Sequence, residues 1–398
     1  MVKHKVALIG LTPIAQIFAK NLLKLELEKT YCLELTAMAD KESQEFCVRD
    51  LKCIADEYSV IESNQIDTIV VCTESVNNAF ELIRAALEKG KNVVTNNQTV
   101  VAIHGQKLWR LAEDKGVHLR FESTLLGAVP IIESIFNGFG GAKIDRVYGV
   151  LNSTCNYSLM RMKDTGCTLA SALEDAVELG YAEPDPELDV SGKDSLYKLA
   201  LLSVSAFGEW PDLSKQKVYS LKGIEPVDIQ LAQKFGCNIK MLSMATKRGM
   251  TVQPTLFEEF SQLGNTNGTL TGVVVESDMT GPVFMVGHGS DDESIASALL
   301  SDTIAIANGR KPYALRQKAG LYTAPNLSRY YVRVPVEGCD KIVKANHVQV
   351  IYENTTQNKT GAYAAYIVET GLQRHELEEF VADAELVTST CVFNVFQN

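Results

Sequence analysis

Hydrophobic and polar residues alternate along the first third of the chain in a pattern that predicts strands and helices in turn. Short apolar runs are each followed by a segment whose apolar residues recur every three or four positions, as at Ile14, Phe18 and Leu22. Strands are predicted at 4–10, 33–40, 66–74, 91–97 and 116–123, and helices at about 14–23, 77–88 and 101–115. Such alternation with short links is typical of a parallel, doubly wound α/β sheet, so residues 1–130 are expected to form a Rossmann-type dinucleotide-binding domain.

Beyond residue 130 the pattern changes and predicts a mixed α+β domain over residues 131–301. Strands are predicted at 146–153, 237–246, 250–258 and 270–287, and helices at 157–163, 168–179, 191–207, 226–235 and 293–308. The last helix has a small-residue face (Ala296, Ala298, Ala305) suited to close packing, and residues 302–325 are predicted to complete the first domain. Residues 327–398 are predicted to contain strands before and after one amphipathic helix. Their order suggests a small ββαβ unit.

The chain length suits two or three domains, and its charge restricts the class of partner. Of 398 residues, 38 are Lys or Arg and 49 are Asp or Glu; the net charge of −11 argues against nucleic acid or an anionic membrane as the main partner. No apolar run reaches the ~18 residues that span a bilayer, and the short run in MVKHKVALIG is predicted to be a strand, not a signal peptide. Nine cysteines without a CxxC pair indicate free thiols in a reducing cytoplasm.

The turn after the first strand, GLTPIA (10–15), matches only part of the GxGxxG fingerprint of dinucleotide-binding domains. Gly10 retains the tight turn, and Ala15 is a tolerable replacement for the third glycine. Thr12 stands where the second glycine lets backbone approach a pyrophosphate, and Pro13 removes one N–H from the helix end. The turn therefore predicts a dinucleotide site whose anion-binding end is weakened.

Two charged residues at the end of the second predicted strand bear on the choice of cofactor. Asp40 lies where an acid would hold the ribose 2′-hydroxyl of NAD, whereas Lys41 could neutralise the 2′-phosphate of NADP. Both could instead be solvated loop charges, so the choice stays open at this point.

A stretch rich in charge, GYAEPDPELDVSGKDSLYKLA (180–200), leads into a helix that is otherwise apolar. Asp194 and Lys198 are four residues apart and therefore share one face of this helix. Lys198 could donate to an aldehyde or hydroxyl oxygen, or act as a general acid, while Glu183 and Asp194 could hold a substrate ammonium. The alternative is a surface ion pair worth ~0.3–0.5 kcal/mol.

This stretch and its flanks resemble the homoserine dehydrogenase signature. LNSTCNYSLMRM (151–162) and LEDAVELGYAEPDPELDVSGKDSLYKLALL (173–202) are similar to the family's N-G-T-x-N-Y and A-x-x-L-G-Y-A-E-x-D-P-x-x-D-V-x-G-x-D-x-x-x-K. FESTLLGAVPII (121–132) and GHGSDDESIASALLSD (287–302) resemble two further family segments. The third region resembles a shortened ACT-like domain, so the likeness covers essentially the whole chain.

The resemblance implies reversible hydride transfer between L-aspartate-4-semialdehyde and L-homoserine with NAD(P)(H), in the aspartate pathway to threonine and methionine. It also implies a homodimer formed through the second domain. The catalytic candidates are Lys198, Asp194 and Gln98, and the substrate-binding candidates are Glu183, Asp189, Tyr181, Thr154 and Gly180. The cofactor-binding candidates are Gly10, Thr12, Pro13, Ile14, Asp40, Lys41, Cys72, Thr73, Asn97 and Gly289. The family's monovalent cation site (Na⁺ or K⁺), built mainly from backbone carbonyls, would fall on Leu125, Gly127 and Val129, with Glu122 nearby.

The chain departs from the family pattern on the cofactor side of the expected site. In the family's T-A-N-K segment, Gln98 replaces a lysine that is taken as a main proton donor. Ser153 replaces a glycine, and Ser290 and Asp291 replace Ala-Gly. Three hypotheses follow: an active but divergent homoserine dehydrogenase, a non-catalytic relative that binds an aspartate-family amino acid as a sensor or partner subunit, and a dehydrogenase of altered substrate.

Overall fold

The computed structural model describes residues 3–42, 46–48, 50–289, 291–315, 328–336, 342–345, 348–358, 361–383 and 391–396. Its first domain is a seven-stranded sheet with flanking helices. The strands are β1 (His4–Ile9), β2 (Leu33–Ala39), β3 (Cys47–Val48), β4 (Leu51–Ile54), β5 (Thr68–Val71), β6 (Asn92–Thr95) and β7 (Leu119–Arg120). The helices are α1 (Pro13–Leu22), α2 (Leu25–Tyr31), α3 (Glu57–Glu62), α4 (Val76–Glu88) and α5 (Gln98–Lys115).

The strand order is β3-β4-β2-β1-β5-β6-β7, with every pair parallel except β3–β4. The predicted Rossmann-type parallel sheet is therefore confirmed. Its central strands are apolar along their length because both faces are covered: Val6, Leu8, Ile69 and Val70 have no exposed surface. Strands β3 and β4 and helices α2 and α3 were not predicted, because elements this short show too little periodicity.

The second domain contains helices and a mixed sheet. Its helices are α6 (Ile131–Glu133, continuing as a π-turn at Ser134–Gly138), α7 (Ser153–Thr165), α8 (Leu169–Glu178), α9 (Glu187–Val190), α10 (Lys193–Phe207) and α11 (Pro226–Lys234); helix α12 (Asp292–Ala307) follows them and packs on the first domain. Its strands are β8 (Ile144–Val150), β9 (Lys217–Val218), β10 (Cys237–Thr246), β11 (Gly249–Glu258), β12 (Leu270–Ser277) and β13 (Gly281–His288). Short 3₁₀ turns lie at Glu122–Thr124 and Leu213–Lys215.

The single strand expected at 270–287 is instead the hairpin β12–β13. Gly281, with φ of +65°, begins the second strand at a turn. An apolar run broken by Asp278 and Gly281 fits two antiparallel strands better than one strand, because the turn lets both pair along their full length.

Helix α12 packs on the first domain before residue 302, where the segment that completes this domain was predicted to begin. Its buried residues Ala296, Leu299 and Ile306 share one apolar cluster with Phe18 of α1. Farther along, Asp302 accepts a hydrogen bond from the fully buried Arg120 of β7 at 3.2 Å, and the Tyr313 hydroxyl also accepts one from Arg120, at 2.9 Å. The segment therefore packs on the dinucleotide domain from Asp292 to at least Tyr313; residues 316–325 lie outside the described residues.

The C-terminal unit extends the sheet of the second domain. Its elements are β14 (Ser328–Pro335), β15 (Gln349–Asn358), β16 (Gly361–Thr370), α13 (Arg374–Asp383) and β17 (Cys391–Val395). Strand β17 pairs in parallel with β11, so one sheet runs β13-β12-β8-β10-β11-β17-β14-β16-β15, with β9 also on β11. Among the described residues, no helix is long and apolar enough to cross a membrane.

A buried ion pair joins this C-terminal unit to helix α11, and we expect its removal to be strongly destabilising. The Arg333 Nε lies 2.8 Å from Oδ1 of Asp228, and the two side chains are 1% and 0% exposed. Replacing Arg333 by methionine should lower the free energy of unfolding by about 3–5 kcal/mol, because it leaves a buried carboxylate without its cation. Denaturant unfolding followed by circular dichroism measures this loss.

The matched control is Arg329→Met in the same strand. Arg329 pairs with Glu369, but both side chains are partly exposed, so a change of about 0–1 kcal/mol is expected. Equal effects of the two substitutions would show that the Arg333–Asp228 pair does not anchor the C-terminal unit.

Candidate active site

A cavity of about 520 Å³ lies at the carboxyl ends of β1, β2 and β5, where Rossmann-type domains hold a dinucleotide. Gly10 forms its base with φ of +86°. A Cβ on Gly10 would lie 2.8 Å from the carbonyl carbon of Cys72 and 2.9 Å from the nitrogen of Thr73. Only glycine fits this turn, which brings the predicted residues Gly10, Cys72 and Thr73 together.

Thr12, which was expected to hinder the approach of a pyrophosphate, also caps the first turn of α1. Its Oγ1 accepts a hydrogen bond from Ala15 N at 3.4 Å, and Pro13 occupies the first helical position, where a missing N–H is tolerated. The side chain of Ile14 packs against the apolar core beneath α1. Opposite this turn, the Asp40 carboxylate accepts a hydrogen bond from Leu11 N at 2.7 Å.

Asn97 connects the ends of β5 and β6. Its Nδ2 donates to Thr73 O at 2.9 Å, and its Oδ1 accepts from Val100 N at 3.0 Å, which caps α5. These two hydrogen bonds of Asn97 fix Gln98 as the first residue of α5. Burial raises the pKa of the neighbouring Cys72 thiol to about 12, so that thiol stays protonated.

Gln98 forms a contact between the dinucleotide domain and the second domain. Its Nε2 donates to both Oδ1 and the main-chain oxygen of Asp194, each at 3.1 Å. Asp194 lies in the first turn of α10, after Gly192. The predicted catalytic residues Gln98, Asp194 and Lys198 are therefore brought together, although 96 positions separate the first two.

The Asp194 carboxylate is the centre of a buried polar cluster. Its Oδ2 lies 3.0 Å from Lys198 Nζ and accepts from Asn152 Nδ2 at 2.7 Å. Burial opposes ionisation of Asp194, but Lys198 and the two amides outweigh it and lower its pKa. Lys198, 9% exposed, also donates to Leu151 O at 3.3 Å. Asp194 thus contacts Gln98, Asn152 and Lys198 at once, an arrangement that suits it to orient Lys198.

Asn152 bridges two carboxylates and was missed from the sequence. Its Nδ2 also donates to Asp189 Oδ1 at 2.6 Å, and its Oδ1 caps α7 by accepting from Cys155 N at 2.7 Å. Burial, and then the charge of Asp194, raise the pKa of Asp189 to about 6. An asparagine between a strand and a helix was the available signal, because cap positions often line sites at strand ends.

The remaining substrate candidates form the rim of this cluster. Thr154 Oγ1 donates to Tyr181 O at 2.9 Å, and the half-exposed Tyr181 ring lies against Tyr157, with the ring centroids 5.1 Å apart. Gly180 ends α8 with φ of +74°, which lets the chain reverse toward exposed Glu183. Glu183 is near enough to Asp189 to add to the rise in that residue's pKa.

The candidate cation residues lie on the loop between β7 and α6. Glu122 is 3% exposed and caps α6, accepting from Ile132 N at 2.9 Å and Glu133 N at 2.7 Å. Burial raises its pKa well above the ordinary value. Leu125, Gly127 and Val129 follow on the same loop, and Gly127 has φ of +40°. Among the described residues, no group of three His, Cys, Asp or Glu side chains could hold a metal ion.

Asp291, the acid that the sequence places on the cofactor side, caps α12. Its carboxylate accepts from Ser294 N at 2.8 Å and from Ser294 Oγ at 2.6 Å. Gly289 packs against β12, where a Cβ would lie 2.5 Å from Cγ2 of Thr271. Ser290 lies outside the described residues.

Comparisons with known proteins agree with this arrangement. The family models described as "Homoserine dehydrogenase, NAD binding domain" and "Homoserine dehydrogenase" match residues 10–122 and 130–304. A homoserine dehydrogenase of Neisseria gonorrhoeae is 30% identical over 76% of this chain and 74% of its own. The crystal structure of a homoserine dehydrogenase from Thiobacillus denitrificans superposes with a TM-score of 0.88 at 24% identity, covering 99% of this chain and 98% of that one. A hyperthermophilic archaeal homoserine dehydrogenase in complex with NADPH has a TM-score of 0.67 at 22% identity, covering 79% of this chain and 100% of that one. The chain belongs to the homoserine dehydrogenase family.

Proposed function

We propose that this protein interconverts L-aspartate-4-semialdehyde and L-homoserine, using a nicotinamide dinucleotide held in the cavity beside Gly10. The observation that carries the proposal is the contact between Gln98 and Asp194. It brings the first turn of α10, which precedes Lys198 by about one turn, against the strand ends of the dinucleotide domain. Reacting groups of two substrates must meet at such a junction for hydride transfer to occur.

Lys198 is proposed to act on the oxygen that changes charge during the reaction. When bound, the nicotinamide supplies or accepts the hydride. In the reduction, the Lys198 ammonium donates a hydrogen bond to the aldehyde oxygen and then a proton to the alkoxide that develops there. Asp194, held by Gln98 and Asn152, keeps that ammonium in place through the 3.0 Å ion pair.

Asp189 is proposed to bind the substrate ammonium, with Glu183 at the rim. The Asp189 carboxylate accepts from Asn152, whereas the Asp194 carboxylate contacts Gln98, Asn152 and Lys198, so Asp189 keeps more of its acceptor sites for a ligand. An ammonium beside Asp189 would also stabilise its ionised form.

This assignment predicts a pH dependence of substrate affinity. A proton and the substrate ammonium compete for the same carboxylate, whose pKa is about 6. KM for homoserine should therefore rise toward tenfold for each pH unit below 6 and level off above it. Asp189→Asn should raise KM by about 10²-fold and remove this dependence, whereas Asp185→Asn, an exposed neighbour, should change neither. A KM for the unmodified protein that is flat from pH 5 to 7 would contradict the assignment.

The direct test is turnover followed at 340 nm, with aspartate semialdehyde plus NADH or NADPH and with homoserine plus NAD⁺ or NADP⁺. Measurable turnover with one cofactor pair is expected. No turnover with either pair at micromolar enzyme would overturn the proposal and favour a non-catalytic amino-acid-binding protein. The presence of Gln98 where the family has a lysine supports that alternative. That alternative predicts a thermal shift with homoserine or threonine and none with either reduced cofactor.

A monovalent cation, Na⁺ or K⁺, is proposed at the carbonyl-rich loop of Leu125, Gly127 and Val129. The buried Glu122 carboxylate could stabilise such a cation. Burial and the charge of Asp302 both raise the pKa of Glu122, and a nearby cation would lower it again by stabilising the ionised carboxylate. Replacing KCl or NaCl by tetramethylammonium chloride at constant ionic strength should lower the melting temperature.

The C-terminal unit is proposed to be a shortened ACT-like domain with a structural role. Its four strands lie in the order fourth, first, third, second (β17-β14-β16-β15), as in the ferredoxin-like βαββαβ arrangement. Only residues 336–348 separate β14 from β15, which leaves room for a short first helix only; Ile342 and Val343 are helical there.

The protein is also proposed to form a homodimer, which sedimentation would test. A cytoplasmic location is proposed as well, and the free thiols at the described cysteines suit a reducing compartment.

A further inference from the structure

The end of the cofactor cavity that would receive the adenosine ribose is strongly acidic. We call it the ribose pocket and define it by Asp40, Lys41 and Glu42 after β2 and by Glu57 at the start of α3. With Glu74 on the opposite wall, four carboxylates line the cavity, and Lys41 is the one cation among its described lining residues. A dinucleotide that enters here meets an excess of negative charge.

Lys41 is already held by one of these carboxylates. Its Nζ lies 3.0 Å from Oε2 of Glu57, whose side chain is only 4% exposed. The contact is an ion pair by distance rather than a well-directed hydrogen bond, and it raises the pKa of Lys41. Glu57 is buried whereas the Lys41 side chain is 55% exposed, and the Glu57 carboxylate compensates the Lys41 charge where a ligand would otherwise use it.

The position of Glu57 is itself fixed. It is the first residue of α3, and Asp56 caps that helix by accepting from Tyr58 N and Ser59 N, each at 3.1 Å. A carboxylate in the first turn of a helix is stabilised by the backbone N–H groups there. Glu57 is therefore held in place beside Lys41.

Asp40 is oriented for a hydroxyl rather than a phosphate. Its Oδ2 accepts from Leu11 N and its Oδ1 from Glu42 N, both at 2.7 Å, which holds the carboxylate at the tip of β2. A carboxylate at this place hydrogen-bonds a ribose 2′-hydroxyl. A 2′-phosphate would instead bring about −1.5 to −2 further charge into the pocket.

We propose that this chain selects NAD(H) over NADP(H), and that Glu57 is a specificity-determining residue because it withholds Lys41 from a 2′-phosphate. The inference rests on the proposed function only in that the cofactor binds in the cavity beside Gly10. The residue has no part in hydride transfer.

The test measures binding rather than turnover, so it stays separate from the test of the reaction. Dissociation constants of NADH and NADPH for the full chain, measured by titration calorimetry, should favour NADH at least tenfold. In Glu57→Gln the pocket loses the carboxylate charge that lies beside Lys41, and NADPH should bind at least tenfold tighter while NADH changes less than threefold. The matched control is Glu62→Gln at the exposed far end of α3, which should leave both constants unchanged.

A second variant keeps the proposal testable if Glu57→Gln does not fold. Lys41→Met should leave the ratio of the two constants within threefold, because Glu57 already compensates that lysine. A tenfold loss of NADPH binding in Lys41→Met would show that Lys41 does meet the 2′-phosphate and would overturn the proposal. Equal or tighter NADPH binding by the unmodified protein would do the same, whether or not the protein turns over.

Discussion

Lys198→Ala is expected to lower kcat for aspartate-semialdehyde reduction by about 10³-fold. The protein holds the Lys198 ammonium 3.0 Å from Asp194 Oδ2 and 3.3 Å from Leu151 O before any substrate binds. A preorganised donor at an oxygen that gains negative charge contributes about 10²–10³ in rate, and positioned proton transfer contributes about 10²–10⁴. Steady-state kinetics at saturating cofactor would measure the loss.

The control for Lys198 lies in the same helix, at its first residue. Lys193 is exposed, so Lys193→Ala should keep kcat within twofold. Asp194 retains the hydrogen bonds from Gln98 and Asn152 in Lys198→Ala, so the variant should fold and bind NADH, which melting temperature and calorimetry verify. More than a tenth of the original kcat in a folded Lys198→Ala protein would show that another group supplies the proton.

Gln98→Lys is expected to raise kcat by about 10²-fold. The Gln98 amide can donate a hydrogen bond at the junction of the two domains, but it cannot release a proton as an ammonium can. A lysine would place a second ammonium beside Asp194, where the Gln98 amide now lies 3.1 Å from Oδ1. General acids of this kind contribute about 10²–10⁴ in rate.

Two controls separate charge from position in this experiment. Gln98→Met removes the hydrogen bond to Asp194 without adding charge and should lower kcat about tenfold, equivalent to about 1.4 kcal/mol. Gln106→Lys adds the same charge at an exposed position of α5 and should have no effect. A Gln98→Lys protein no faster than the original would mean that Lys198 alone sets the rate of proton transfer.

Several features could be predicted because they depend on neighbours along the chain. Alternating apolar runs and helical repeats indicated the Rossmann-type sheet, and the run Val6–Ile9 is completely buried within it. The spacing of Asp194 and Lys198 placed both on one helical face, and their ion pair is present. Gly10 was recognisable because a positive φ at a crowded turn suits only glycine.

Other features depend on which distant segments meet. No local pattern signals that Gln98 would donate to Asp194, that Asn152 would bridge Asp189 and Asp194, or that Glu57 would pair with Lys41. The same holds for β17, which joins the second domain's sheet beside β11.

The sequence by itself therefore determined the parallel-sheet type of the first domain, the helical face that carries Asp194 and Lys198, and the tight turn at Gly10, because short-range sterics and periodicity control all three. The tertiary structure alone decided the surroundings of each carboxylate. Lys198 and two amides lower the pKa of Asp194 against its burial, whereas burial and the charge of Asp194 raise the pKa of Asp189, because these charges and hydrogen-bond donors come from remote parts of the chain.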